Sequence, residues 1–323
     1  MNIERQLFLR TMIVGRSMGS AAEHLAGLMR DAYFPAGSIL YRAGEASDRL
    51  YFIVRGQVQL VSEGLEPLRF GDRSVIGVLD MLQDRPYART AVAMADVEAL
   101  ETRAEDWLEM LEDNFEYGRA ALGGNATGLT ALAQALPLMG FPPAGVPGQQ
   151  LSLPGAVGEP LDLVGRLLVL RALPAFSMAR IQALSTMSEI AEELRLRPGA
   201  ALFGPGQVPT SVYAVARGKV EIWADSFPSP VTFGPGTVVG NYAPFSDRVL
   251  PFGARAAEPT TVLRIGKEDL LDLMEIHFEV ARSAMAYVAN ERVRMLELRA
   301  DLSAGSPASL SNVGQVVPLP VGA

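Results

Sequence analysis

The side chains that most often carry chemistry are scarce in this sequence. Cysteine is absent, which excludes thiolate nucleophiles, disulfides, iron–sulfur clusters and cysteine-ligated zinc. The two histidines, His24 and His277, are too few for a histidine-rich metal site and leave little room for histidine base chemistry. No pair among the 36 acidic residues is marked by spacing or context, and the serine-hydrolase, P-loop, zinc-protease and kinase signatures are missing. The residue types therefore predict a protein that is not an enzyme.

Charge and hydropathy exclude further classes. The net charge is −8, which argues against nucleic-acid binding through the whole surface, because phosphate contacts need clustered Lys and Arg. The longest uncharged stretch, residues 120–158, is interrupted repeatedly by glycine and proline, so we interpret it as a linker and not as a membrane span. Glu4 and Arg10 interrupt the apolar start of the chain, unlike a secretory signal. We therefore expect a cytoplasmic protein.

The sequence contains an internal duplication. Residues from Gly37 onward match those from Gly199 onward at a constant offset, and the register continues, after one inserted residue, to Glu116 and Glu279. The matched glycines are Gly37 and Gly199, Gly44 and Gly206, Gly56 and Gly218, and Gly77 and Gly240. Chance similarity would not keep register over so long a stretch, so the sequence predicts two domains of one fold. The length of 323 residues favours the same number.

Both repeats show the same order of predicted elements. A helical stretch is followed by β-type runs at 50–60 and 212–223, each with a glycine suited to a hairpin turn. More short runs end at 97–100 and 261–265, and an amphipathic helix then begins at Arg103 or Gly266. This pattern predicts a mainly β fold with flanking helices, in two tandem β-rolls of the jelly-roll type. The predicted ranges are domain 1 at 1–120, a Pro/Gly-rich linker at 121–160, domain 2 at 161–302 and a flexible tail at 303–323.

At this point the repeats resemble the cyclic nucleotide-binding domain family, which includes catabolite-activator-type regulators and the regulatory subunits of cyclic-nucleotide-dependent kinases. The first repeat carries the family's opening as Phe34-Pro35-Ala36-Gly37, Gly44-Glu45, Leu50-Tyr51-Phe52-Ile53 and Gly56. The second carries Pro198-Gly199, Gly206, Val212-Tyr213 and Gly218. The resemblance covers about 110 residues of each half and implies a non-catalytic regulatory role.

The resemblance also implies a phosphate-binding cassette. In the family, Gly-Glu-(Leu/Ile)-(Ala/Gly) opens a short helix, and Arg-(Ser/Thr/Ala)-Ala follows about ten residues later. Backbone N–H groups and the arginine hold the cyclic phosphate, while the glutamate accepts a hydrogen bond from the ribose. Val78 stands at the glutamate position of the first repeat, so the ribose contact is missing unless Asp80 supplies it. The candidate pocket residues of domain 1 are Gly77, Asp80, Arg89, Thr90 and Ala91.

The second cassette departs further from the pattern. It keeps Gly240 and Asn241, and Asn241 could bond a hydroxyl, but Phe252 stands at the arginine position. Phenylalanine cannot pair with a phosphate, and Arg255, three residues later, is expected to point elsewhere. Domain 2 therefore has a degenerate candidate pocket. A structural alternative stays open in domain 1, where Arg89 could simply begin a strand and pair with Asp80 or Asp84.

We do not expect the C-terminal region to form the output module of related transcription regulators. Residues 303–323 carry no charge, whereas a DNA-reading helix needs basic residues for phosphate contacts. The stretch 278–302 is helical in pattern and could form a homodimer seam or pack on its own roll.

The sequence thus favours a non-enzymatic regulatory protein that acts through protein–protein contacts with unidentified partners. One alternative is a true sensor of cAMP, cGMP or another small anion through domain 1, and a second is a purely structural adaptor. A cyclic nucleotide is the candidate ligand, and no metal is expected.

Overall fold

The structure, a computed structural model, describes residues 2–12, 19–135, 151, 153, 159–225, 227, 229–240 and 242–303. Most of the predicted linker beyond residue 135 and the predicted tail beyond residue 303 lie outside the described residues. The described residues form two compact units. The first comprises residues up to Gly128 together with those from Ala289 onward, and the second comprises Leu129 to Val288.

The first unit is a β-roll with helices at both ends. Its helices are α1 (Asn2–Met12), α2 (Gly19–Leu28), α3 (Val78–Leu82), α4 (Ala104–Asp113) and the start of α5 (Phe115–Ala135). Its strands are β1 (Arg30–Phe34), β2 (Ile39–Tyr41), β3 (Arg49–Arg55), β4 (Val58–Ser62), β5 (Leu65–Phe70), β6 (Val75–Ile76), β7 (Thr90–Ala93) and β8 (Val97–Arg103). They form two antiparallel sheets in the orders β1-β8-β3-β6 and β2-β7-β4-β5.

The second unit repeats this arrangement. Its helical elements are α6 (Leu163–Arg171), a 3-10 turn (Pro174–Phe176), α7 (Ile181–Ile190), α8 (Ala243–Ser246), α9 (Lys267–Ile276) and the start of α10 (Phe278–Ser303). Its strands are β9 (Glu192–Leu196), β10 (Ala201–Phe203), β11 (Ser211–Arg217), β12 (Val220–Trp223), β13 (Val231–Phe233), β14 (Val238–Val239), β15 (Gly253–Ala256) and β16 (Thr260–Gly266). The sheet orders, β14-β11-β16-β9 and β10-β15-β12-β13, match those of the first unit. The predicted fold class is confirmed.

The duplicated hairpin glycines have a backbone cause. Gly56 and Gly218 both adopt positive φ, +110° and +78°, between the third and fourth strands of their rolls. A Cβ atom would lie 2.4 Å from the Asp96 carbonyl oxygen at Gly56, and 2.3 Å from the Pro259 carbonyl oxygen at Gly218. Only glycine fits both the torsion and the close approach, so the two sequences agree at this position.

The predicted linker begins within a helix. Residues 121–135, interpreted as linker because of their glycines, continue helix α5. Leu122, Ala126 and Leu129 are buried at helical spacing along it. A glycine inside a helix costs only about 1 kcal/mol, which such burial offsets, and the first proline of the stretch, Pro137, comes after the helix.

The long C-terminal helix α10 follows the predicted range. Three apolar residues expected on its packing face, Met285, Val288 and Met295, are buried within the single chain. Their burial favours packing of the helix on its own chain over a homodimer seam.

A matching arginine clamp ties the leading helix of each unit to its roll. In the first unit, Arg5 on α1 donates to the carbonyl oxygen of Met29 at 2.8 Å and pairs with Asp31 on β1. In the second unit, Arg166 on α6 donates to the carbonyl oxygen of Ala191 at 2.8 Å and approaches Glu193 on β9 at 3.4 Å. Each clamp joins the helical part to the first strand.

Candidate functional site

The candidate site of the first roll begins at a backbone position that requires glycine. Gly77 has φ +86° and immediately precedes the five-residue helix α3. A Cβ atom here would lie 2.7 Å from the carbonyl oxygen of Arg49. The predicted glycine therefore determines how the chain enters α3. Val78 is the half-buried first residue of that helix and stands at the family's carboxylate position.

Arg89 is the cationic group of this site, and its side chain is only 8% exposed. Its Nη1 donates to the carbonyl oxygen of Glu66 at 2.9 Å, and its Nη2 pairs with the carboxylate of Glu297 on α10. All three residues belong to the first unit. Burial makes an unpaired guanidinium costly, and Glu297 supplies the compensating charge.

The expected pairing of Arg89 with Asp80 or Asp84 is therefore wrong. The Oδ1 atom of Asp80 instead accepts a hydrogen bond from Nε of Arg85 at 2.8 Å. This pair spans only five residues across the end of α3, whereas Arg89 points toward β5 and α10. Asp80, the predicted substitute for the missing ribose acceptor, is thus already paired with Arg85.

The two residues after Arg89 fix its position. Thr90 begins β7, and its Oγ1 atom accepts a hydrogen bond from the backbone N–H of Ala43 at 3.0 Å. Ala91 is fully buried in the core of the roll. These contacts hold the strand that carries the arginine.

Sequence reasoning missed a cluster of tyrosines beside α3. Tyr41 and Tyr87 stack with ring centroids 3.8 Å apart, and Tyr51 lies 6.0 Å from Tyr41. The Tyr87 hydroxyl donates to the carbonyl oxygen of Arg49 at 2.7 Å. The backbone of Gly77 acts on the ionisation of the Tyr41 hydroxyl, which lies beside the opening of the candidate cassette.

Burial changes the acid–base behaviour of these phenols. It raises the pKa of Tyr51 to about 12, and it raises the pKa values of Tyr41 and Tyr87 further above the ordinary value. All three therefore stay neutral at physiological pH. Tyr51 belongs to the family's opening motif, but no sequence pattern marks the three tyrosines as a cluster.

The second roll keeps the left-handed glycine of the site and loses its charge. Gly240 adopts φ +76°, as Gly77 does in the first roll, while Asn241 lies outside the described residues. Phe252 is buried in the apolar core, with its ring centroid 6.4 Å from that of Phe203. Arg255 points elsewhere, as expected, because its Nε bonds Glu221 at 2.5 Å and its guanidinium lies over the ring of Trp223.

Two further features are absent from the part of the chain that the structure describes. No group of three His, Asp or Glu side chains there could hold a metal ion. No helix within the same residues combines the length and apolarity needed to cross a bilayer.

The geometry defines tandem β-rolls, each with a glycine-led short helix, and a buried arginine at the predicted anion position of the first. The family model for the cyclic nucleotide-binding domain matches residues 32–114 and 193–277, together more than half of the chain. The chain belongs to the cyclic nucleotide-binding domain family and carries two tandem copies of the domain. The resemblance inferred from the sequence is confirmed.

Individual relatives are more distant. A cyclic nucleotide-gated potassium channel of Rhizobium etli is 29% identical over 93 residues, which cover 28% of this chain and 26% of the channel. The chain thus spans about a quarter of the length of this relative. A solved regulatory subunit of a cAMP-independent protein kinase A from Trypanosoma brucei is 12% identical, covers 95% of this chain and 92% of that one, and has a TM-score of 0.35. The catabolite activator protein of Thermus thermophilus is 22% identical, covers 41% and 63%, and has a TM-score of 0.37.

Proposed function

We propose that this protein is a non-enzymatic regulator with degenerate nucleotide pockets, which acts through contacts with other proteins. The observation that carries the proposal is the exchange of a cationic residue for a core aromatic one at matching positions. Arg89 has a counterion within the chain, and Phe252 is part of an apolar core. Neither Arg89 nor Phe252 therefore provides an uncompensated positive charge for an external phosphate.

The second roll gives the stronger support. A cyclic phosphate there would need a charged donor, and Phe252 at the matching position offers only apolar surface, packed with Phe203 and Leu250. Opening a phosphate site would require the removal of that packing. We therefore assign this roll a structural role.

The first roll supports the same function less strongly, because it retains charged residues at its cassette that are already paired within the chain. Arg89 pairs with Glu297, Asp80 pairs with Arg85, and Val78 offers no hydrogen-bond acceptor. A sensor of cAMP, cGMP or another small anion through this roll is the second candidate function. The retained Arg89 and the left-handed Gly77 favour it.

Calorimetric titration of the full chain with cAMP and with cGMP tests the proposal. We expect no saturable heat and no shift of the melting temperature with either nucleotide. One bound nucleotide per chain, lost in Arg89→Gln, would instead establish the sensor, and two per chain would overturn the degenerate pockets altogether.

A variant of the second roll sharpens this test. We expect Phe252→Arg to lower the melting temperature without creating nucleotide binding, since the new cation would be buried without a partner. Phe252→Leu is the matched control, because it keeps the site apolar. Nucleotide binding by Phe252→Arg would mean that the second pocket is open.

A further inference from the structure

The ion pair between Arg89 and Glu297 joins the centre of the candidate site to a residue far away in sequence. The two are 208 positions apart, yet both belong to the first unit. The Arg89 side chain is 8% exposed and that of Glu297 is 34% exposed. The carboxylate therefore reaches a buried cation from a position that remains open to water.

Helix α10 holds Glu297 in place through neighbouring contacts. Met295 is fully buried and Leu296 is nearly so, which anchors the turn of helix that carries Glu297. Arg292 lies earlier on the same helix, and its Nη1 donates to Oδ1 of Asn125 on α5 at 3.2 Å. Arg294 is occupied by Glu291 within the helix, at 2.9 Å. Glu297 therefore meets Arg89 as part of a packed surface of the first unit.

A carboxylate and a phosphate make the same demand on a guanidinium. Both present anionic oxygens that accept charge-assisted hydrogen bonds from its planar N–H groups. Nη1 of Arg89 already donates to the carbonyl oxygen of Glu66. An external anion and Glu297 would therefore compete for Nη2 of Arg89.

From this geometry we infer that Glu297 is a built-in occupant of the anion position of the first roll, which excludes phosphate esters by holding Arg89. The inference rests on the proposed function and specifies how its first pocket is kept empty. A phosphate ester can bind Arg89 only in those molecules in which Glu297 has moved away from it. The apparent affinity is therefore the intrinsic affinity multiplied by the fraction of such molecules. Withdrawal also removes one tie between α10 and the roll.

Glu297→Gln in the full chain tests this occupancy, because glutamine keeps the size of the side chain and removes its charge. We expect calorimetry to show saturable cAMP binding by this variant, at least about tenfold tighter than the weakest binding that the wild-type titration would have detected. Glu105→Gln is the matched control. It removes the same charge from the same unit, at a side chain that is 75% exposed and pairs with Arg103, and it should behave as the wild type.

Hydrogen exchange gives a readout that does not depend on the ligand. We expect faster amide exchange in residues 289–303 of Glu297→Gln and of Arg89→Gln, with no further gain in the double variant, since both changes break one contact. The double variant should also lose the cAMP binding gained by Glu297→Gln. Inorganic phosphate serves as a second probe, to separate recognition of the phosphate from recognition of the whole nucleotide.

Two results would overturn the inference. One is a folded Glu297→Gln protein whose affinity for cAMP and phosphate equals that of the wild type. The other is binding that persists in the double variant. If Glu297→Gln unfolds, Glu297→Asp applies the same test, because it keeps the charge and shortens the reach. A wild-type nucleotide site that Arg89→Gln leaves intact would lie in the second roll and would contradict only the proposed degenerate pockets. Release of the first roll in Glu297→Gln would then appear as one additional bound nucleotide, so the two failures remain distinct.

Discussion

The two rolls solve the same packing problem with opposite chemistry. Gly77 and Gly240 share a left-handed backbone conformation ahead of a short helix, and Asp84 and Asp247 share positive φ beyond that helix. Arg89 and Phe252 stand at matching positions after that helix. The first roll buries Arg89 beside Glu297, and the second buries Phe252 among apolar side chains. Replacing a buried ion pair by well-packed apolar groups is often neutral or stabilising. The comparison teaches that the backbone of the fold can persist when the charge at its site is lost.

The largest expected difference between the rolls comes from truncation of the two matching side chains. Phe252→Ala should destabilise the protein by about 3–5 kcal/mol, because it leaves a cavity in the core. Arg89→Ala should cost only about 1–3 kcal/mol, because Glu297 remains partly exposed and can be hydrated. Urea denaturation measures both values. Equal losses, or a larger loss at Arg89, would contradict the contrast drawn between the rolls.

A smaller effect is expected when the missing carboxylate is restored in the first roll. In Val78→Glu, the new side chain starts from a half-buried position, and Arg89, the cationic group of the site, is already paired with Glu297. We expect a loss of about 1–3 kcal/mol without rescue by cyclic nucleotide, measured by thermal shift. Val78→Thr is the control, since it adds a polar group at nearly constant volume. A gain of tenfold or more in nucleotide affinity would show an open pocket.

The smallest expected effect is on alkaline stability. Burial raises the pKa of Tyr41, Tyr51 and Tyr87 above that of the unfolded chain, so the native state holds these protons longer. Their contribution to stability is complete below about pH 10 and is lost as the pH rises through the raised values. The residues matching Tyr41 and Tyr87 in the second roll, Phe203 and Leu250, cannot titrate.

Tyr41→Phe makes the first roll resemble the second in this respect. Between pH 8 and about pH 11, the variant should lose about 1 kcal/mol less unfolding free energy than the wild type. Urea denaturation at both values, with absorbance titration of tyrosine, checks this difference. An identical pH dependence would mean that Tyr41 ionises normally in the folded protein.

The fold could be predicted from the sequence where neighbouring residues determine which residue type a position needs. The duplicated glycines are fixed by torsion and close approach, so Gly56 and Gly218 marked both hairpins correctly. The amphipathic helices expected at Arg103 and Gly266 begin one residue later, at Ala104 and Lys267. In these cases a few neighbouring residues determine the structure.

The site was predictable only in part, because its main contact is not local. The positions of Gly77 and Arg89 followed from their spacing and the resemblance, and the absence of a cation at Phe252 was visible at once. The partner of Arg89 was not, since no local pattern connects it with Glu297, 208 residues away. The helical continuation to Ala135 was hidden for a similar reason, because burial outweighs the low helix propensity of its glycines.

The arginine clamps also determine how each unit carries mechanical load. Arg5 grips both the end of the helical part at Met29 and the first strand at Asp31, and Arg166 does the same at Ala191 and Glu193. A pull on α1 or α6 therefore reaches the first strand of the roll directly. Among the described strands, that strand pairs with a single neighbour, β8 or β16, at the edge of its sheet. Under tension applied at the leading helix, the outermost strand would be peeled from the roll before its interior strands were loaded.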